Sequence, residues 1–310
     1  MNSFDDIDVL LATYNGEFFL EEFLDSLAAQ EHVNIHLIVS DDGSTDSTIE
    51  TIKCYQSKFK RVTILHGPKK GPMSNFFYLL RASEGSFIAL ADQDDIWNKH
   101  HLKNSIDRIR NNKLPTMTYS AVEQFNHLNT DRTIWPTKYR GPEFPAIIFE
   151  NSARGCTFVL NQGARELVNL KEPKNAIMHD WWILLLLQVY GQVFYEPKPE
   201  IQYRLHSKNF VGVPTRRTLR FIETLKQGRW LPLVQLRELL DYPDSKFQKI
   251  ETFDLDLFAK NLQGDFFLRF RRIVCARGIR YRQSLTGEIK IRIGVIFLKA
   301  LNRRGALRDI

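Results

Sequence analysis

Four short apolar segments punctuate the first ninety or so residues: Asp8 to Thr13, Ile35 to Ser40, Val62 to His66 and Ser86 to Leu90. Between them lie polar turns and helical patterns, Phe18 to Leu27, Asp46 to Phe59 and Ser74 to Ala82, with Ser44 or Thr45 placed to cap the second. Strands that alternate with helices pair in parallel, because each helix carries the chain back to the sheet edge where the next strand starts. The expected class is therefore α/β: a Rossmann-like, mixed but mostly parallel sheet flanked by helices.

The strand ends carry the chemistry. Phe87 to Leu90 runs into Ala91-Asp92-Gln93-Asp94-Asp95-Ile96-Trp97, which puts three carboxylates in four positions. Ligands of open α/β sheets bind beyond the carboxyl ends of the strands, and an Asp-x-Asp there can hold a hard divalent cation that grips a diphosphate. The alternative is a solvated loop that caps a helix beginning near Trp97, with Asp95 as the cap. The second strand also ends in acids, Asp41-Asp42-Gly43-Ser44, which suit either a turn and helix cap or a ligand, since an ionised carboxylate only accepts hydrogen bonds. Two acidic strand ends are expected to meet at one edge.

Taken in order, Thr13-Tyr14-Asn15-Gly16, Val39-Ser40-Asp41-Asp42-Gly43-Ser44-Thr45-Asp46 and Asp92-Gln93-Asp94-Asp95 resemble family 2 glycosyltransferases of the GT-A fold. The longer Asp-Gln-Asp-Asp-Ile-Trp form is similar to the bacterial branch that includes rhamnosyltransferases of surface polysaccharide synthesis. The resemblance is strong over residues 6 to 110, extends to about 212 and is absent beyond.

The resemblance implies a donor site built from Thr13, Tyr14, Asn15, Asp41, Asp42, Gly71, Asn75, Asp92 and Gln93, with Arg204 supplying a cation for phosphate charge. It implies Mg2+ or Mn2+ held by Asp94, with His206 serving either the metal or the diphosphate, and Asp92 near the ribose or the metal. His179-Asp180-Trp181-Trp182 stands where the family usually has Glu-Asp, so Asp180 inherits the role of the base that deprotonates the acceptor hydroxyl. Trp181, Trp182 and Cys156 would border the sugar or acceptor, Cys156 on a strand written Gly155 to Asn161. Read without the resemblance, Asp180 is a helix cap, the tryptophans are core and Cys156 lies in a buried strand.

The implied activity is inverting transfer of a sugar, L-rhamnose from dTDP-L-rhamnose being the first expectation, to a hydroxyl of a lipid-linked or growing surface polysaccharide. The alternatives are a galactosyl-, glucosyl- or N-acetylhexosaminyltransferase using a UDP-sugar, or a non-catalytic assembly scaffold.

Charge divides the chain. Lys and Arg against Asp and Glu number 22 to 26 through residue 210 and 21 to 10 after it. We therefore expect a catalytic domain over 1–212 and a helical, basic region over 213–310. In that region Phe266, Phe267, Phe270, Ile273, Val274 and Tyr281 share one helical stripe, with Arg269, Arg271, Arg272, Arg280 and Arg282 around it. Such a face suits an anionic membrane surface, the catalytic domain or a second subunit of a homodimer. The basic tail has no zinc pattern or single-strand aromatic platform, so no nucleic-acid partner is expected. Cys54, Cys156 and Cys275 lack metal spacing and read as reduced thiols, and no apolar run reaches spanning length. The expected location is cytoplasmic, peripheral on the inner face of the membrane.

Overall fold

The computed structural model describes residues 4–126, 129–136, 141 and 146–206, together with 235, 236, 238, 239 and 242. In chain order the elements are β1 (Asp5–Thr13), α1 (Glu17–Ala28), β2 (Val33–Asp41), α2 (Thr48–Cys54), β3 (Arg61–His66), α3 (Pro72–Ala82), β4 (Phe87–Asp92) and β5 (Ile96–Trp97). Then come α4 (His101–Ile109), β6 (Thr116–Asn126), β7 (Asn129–Trp135), α5 (Ala146–Phe149), β8 (Val159–Asn161), α6 (Gln162–Asn169), α7 (His179–Tyr190) and β9 (Gln192–Leu205).

The chain divides into two compact units. The first comprises Met1–Thr137, Ala153–Glu172 and Met178–His206, and the second Lys138–Ser152, Pro173–Ile177 and Ser207–Ile310. Within the second, Glu238 accepts the backbone N–H groups of Lys174 and Asn175 at 2.7 and 2.8 Å. The aromatic and arginine stripe proposed for the basic region lies outside the described residues. No helix among the described residues is long and apolar enough to cross a membrane.

The first unit holds one mixed sheet in the order β3-β2-β1-β4-β8-β6-β9-β5, with β7 on β6. The first four strands run parallel, as the helical crossovers require, and β8 then enters antiparallel beside β4. Ile7, Val9, Leu10 and Leu11 of β1 are all buried, which a strand covered by helices on both faces demands. Register aligns the strand ends: Thr13 lies opposite Asp41, and Ala12 opposite Asp92. The chain leaves β1 toward β2 and β3 and returns to β4 on its other side, so the crevice between the ends of β1 and β4 is the topological switch point.

Three local expectations are corrected. The helix after β2 starts at Thr48, because Ser44 and Thr45 are spent on other turns and Asp46 Oδ1 accepts the Thr48 N–H instead. Ile96 and Trp97 form a short strand on β9, with Trp97 edge-on to Phe23, and the next helix waits until His101. Asp95 consequently caps no helix. Gly155–Thr157 is a 3-10 turn, closed by the Thr157 N–H and hydroxyl on the Arg154 carbonyl, so the strand is reduced to Val159–Asn161.

His101 opens α4 wholly buried, its ring edge-on to Trp97 at 4.8 Å and both ring nitrogens without a partner. Burial, and then the Arg108 charge, lower its pKa to about 3. An unfolded histidine takes a proton near pH 6.5, so the unfolded state binds more protons below that value and folding stability falls as pH drops from there toward 3. Urea unfolding at pH 7.5 and 5.5 is expected to show a smaller loss in His101→Leu than in the parent. An equal loss in both would remove His101 as its source.

Candidate active site

The acidic loop leaves β4 at Asp92 and is held from below. Asp95, fully buried, accepts the Arg204 backbone N–H at 3.1 Å and the Cys156 thiol. Burial and the neighbouring Asp94 and Asp92 charges push its carboxyl well above the usual carboxylate range. Cys156 is driven the same way, by burial and then by Asp95 and Asp92. Asp92, Asp95 and Cys156 form the one cluster of potential ligand atoms within 4.8 Å among the described residues. A protonated thiol and a buried carboxyl make it a poor home for a hard cation. The expected contact of Cys156 with sugar or acceptor is corrected: it lies beneath the loop.

Asp94 and His206, 112 positions apart, are brought together with Oδ2 and Nε2 2.7 Å apart. His206 is fixed by stacking on Phe19 at 4.8 Å and 27°. A carboxylate beside an imidazole fits a first-row divalent ion such as Mn2+ better than Mg2+, which favours oxygen ligands.

Arg204, expected to face phosphate, is only 1% exposed. Its Nε donates to the Asp94 carbonyl at 2.9 Å, a terminal nitrogen pairs with Glu22 at 2.7 Å, and the guanidinium lies over the rings of Phe19 and Phe125 at 4.8 and 4.7 Å. It clamps the acidic loop to β9 and α1, because the planar fork can serve a carbonyl and a carboxylate at once.

The motif residues on β1 and β2 largely bind one another. Asp41 accepts the hydroxyls of Thr13 and Ser44 on one oxygen and the N–H groups of Gly43 and Ser44 on the other. Asn15, in the left-handed region at φ 46°, takes the Thr45 N–H on its side chain at 2.9 Å. The Gln93 amide pairs with both backbone groups of Tyr14 at 3.0 Å, and Asn75 is buried with its amide on the Ser40 carbonyl. Thr13, Asp41 and Asn75 are thus buried in this network, whereas Asn15 and Gln93 keep part of their surface exposed. Tyr14 is 59% exposed. Asp42 is partly exposed and latches the loop before α3 through the N–H groups of Lys69 and Gly71 at 2.6 and 2.8 Å. Gly71 adopts φ 86°, a conformation that favours glycine.

A Cβ on Gly16 would lie 2.3 Å from Gln93 Oε1. Gly16→Ala is therefore expected to push the Gln93 amide off Tyr14 and cost about 1–2 kcal/mol, the worth of two net hydrogen bonds. Gln93→Ala should cost the same, and the double variant no more than either single. Additive losses in chemical unfolding would contradict the shared cause.

Asp180 sits in the first turn of α7, its Oδ1 accepting the Trp181 N–H at 2.7 Å, where the helix amino end favours a negative charge. Its charge is felt at Asp92, whose pKa is pushed up to about 7 by burial and by the Asp94 and Asp180 charges, with Arg154 opposing. His179 is buried, stacked on Phe76 at 4.0 Å, with its pKa lowered by burial. A Cβ on Gly155 would come within 2.8 Å of its Nε2, so the Gly155–Thr157 turn abuts the start of α7. Trp182 has no exposed surface and belongs to the core, which corrects its expected role as a sugar platform, whereas Trp181 is partly exposed.

Sequence reasoning passed over Arg154. Its guanidinium lies over the rings of Trp135 and Tyr203 at 4.3 and 5.0 Å. A lone arginine before a Gly-Cys pair carries no signal of which way it points, and both aromatic partners are distant in sequence.

Carboxylates gathered at the switch point, the Asp94–His206 pair and the acidic start of α7 sit on a sheet of the kind found in GT-A glycosyltransferases. The fold matches S. aureus TarS in complex with UDP-GlcNAc at a TM-score of 0.58 and 19% identity, covering 96% of this chain and 82% of that one. It also matches the mannosyltransferase PcManGT from Pyrobaculum calidifontis in complex with GDP-Man and Mn2+ at 0.55 and 13%, covering 98% and 88%. The chain belongs to glycosyl transferase family 2, whose model matches residues 8–159. It is 30% identical over 215 residues to the dTDP-rhamnosyl transferase RfbG of Shigella flexneri, covering 65% of this chain and 73% of that protein.

Proposed function

We propose that this glycosyltransferase moves L-rhamnose from dTDP-L-rhamnose, with inversion and dependence on a divalent cation, to a hydroxyl of a lipid-linked or growing surface polysaccharide. The observation that carries the reading is the meeting of Asp94 and His206 within the same acidic cluster as Asp92 and Asp180. The similarity to RfbG supports the choice of donor.

Asp94 and His206 would hold Mn2+ or Mg2+, which neutralises charge on a departing diphosphate when bound. Tyr14 offers an exposed ring to the base. Asp42 retains lone pairs for a ribose hydroxyl or a pyrimidine N–H, because its two hydrogen bonds leave about half of a carboxylate's four acceptor sites open. Asp180 takes the proton of the acceptor hydroxyl as that oxygen attacks the anomeric carbon from the face opposite the diphosphate. Calorimetric titration with dTDP-L-rhamnose, UDP-galactose, UDP-glucose and UDP-N-acetylglucosamine, each with and without Mn2+, tests the reading. Selective, Mn2+-dependent binding of dTDP-L-rhamnose is expected. Preference for a UDP-sugar would overturn the donor, and binding indifferent to Mn2+ would overturn the cation.

A further inference from the structure

We propose that Arg154 is the protein's own cation for the donor diphosphate, engaging its β-phosphate as the sugar leaves; this rests on the reading of the cleft as a nucleotide-sugar site. A diphosphate brought to Asp92, Asp94 and Asp180 meets at least three carboxylates, more negative charge than one divalent ion offsets. Arg204, the arginine expected to help, is committed to the Asp94 carbonyl and Glu22. Arg154 is the cation whose charge reaches Asp92, and it also reaches Cys156 and Tyr203 beneath the acidic loop.

Its surroundings are built to hold a guanidinium by its faces. Its central carbon lies over the rings of Trp135 and Tyr203 at 4.3 and 5.0 Å, contacts that suit a cation on an aromatic face. Rings do nothing for the in-plane N–H donors. The Arg154 Nε is shut off from solvent and has no hydrogen-bond partner among the described residues. An unpaired buried N–H is costly, and a guanidinium whose charge reaches Asp92 suits an anion that arrives with its own cation. The next residue, Gly155, packs against Asp180 and His179, so the same turn touches the helix that carries the base.

The step balances. The bond from the anomeric carbon to the diphosphate oxygen breaks with its electron pair left on that oxygen. The acceptor oxygen forms the new bond, its proton passes to Asp180, and Arg154 N–H groups meet the charge gained by the β-phosphate.

The full chain in Mn2+ would be titrated with dTDP and dTMP, and with UDP and UMP. Arg154→Met keeps an apolar stem between the two rings and removes the donors; Arg154→Gln carries the same test if the Met variant does not give a cooperative melt. Diphosphate affinity is expected to fall about tenfold or more, as loss of a charge-assisted hydrogen bond implies, with monophosphate affinity unchanged and turnover reduced. Wild-type diphosphate affinity in either variant would overturn the assignment. So would equal loss of mono- and diphosphate binding, which marks a merely structural arginine. A parent chain that binds none of the four nucleotides fails at the earlier step, the nucleotide-sugar reading itself, and takes this proposal with it.

Discussion

Asp180→Asn is expected to lower turnover by about 10²–10⁴-fold, the usual contribution of a positioned general base, while donor affinity in Mn2+ stays close to that of the parent. The substitution preserves shape and still allows the side-chain oxygen to accept the Trp181 N–H seen at 2.7 Å. It removes the charge that takes the proton, so the effect should fall on kcat and spare donor binding. Full transfer activity in Asp180→Asn would sink the assignment. Weakened donor binding would instead make Asp180 part of the donor pocket.

Asp94→Ala should act on a different quantity. If Asp94 and His206 share a cation, each variant loses Mn2+-dependent donor affinity by at least the about 10- to 100-fold that even an outer-shell partner of a metal carries. Binding measured without Mn2+ should hardly change. Because the two side chains meet at 2.7 Å, their losses should also be strongly non-additive in a double-mutant cycle. Retention of Mn2+-stimulated binding in Asp94→Ala would dismiss it as a ligand. Additivity would mean that His206 serves the diphosphate separately.

How far the site could be read in advance depends on how local each feature is. Thr13, Asp41 and Asp92 were expected at one edge because strand alternation and parallel pairing place successive strand ends together, and the register aligns them. Asp94 and His206 were paired by resemblance, and the fold brings them into contact. The errors share one cause. Asn75, Arg204, Trp182 and Cys156 have the right chemistry in the right segments but are buried, and a motif does not say which way a side chain turns from the backbone. Gln93 is turned onto Tyr14 because Gly16 leaves room for it. Arg204 is turned inward because Phe19, Phe125 and Glu22 make a better slot for its guanidinium than solvent does.

By itself the sequence determined the alternation of strands and helices, the acidic edge and the family, since these follow from periodicity and short motifs within a few residues of one another. The division of labour among the carboxylates and arginines came only with the tertiary structure. Asp95 accepts from Arg204 across 109 positions, and Trp135 and Tyr203 close on Arg154 from either side of it in the chain. Side-chain direction at those places is set by which distant strands pair, a long-range outcome that local periodicity does not encode.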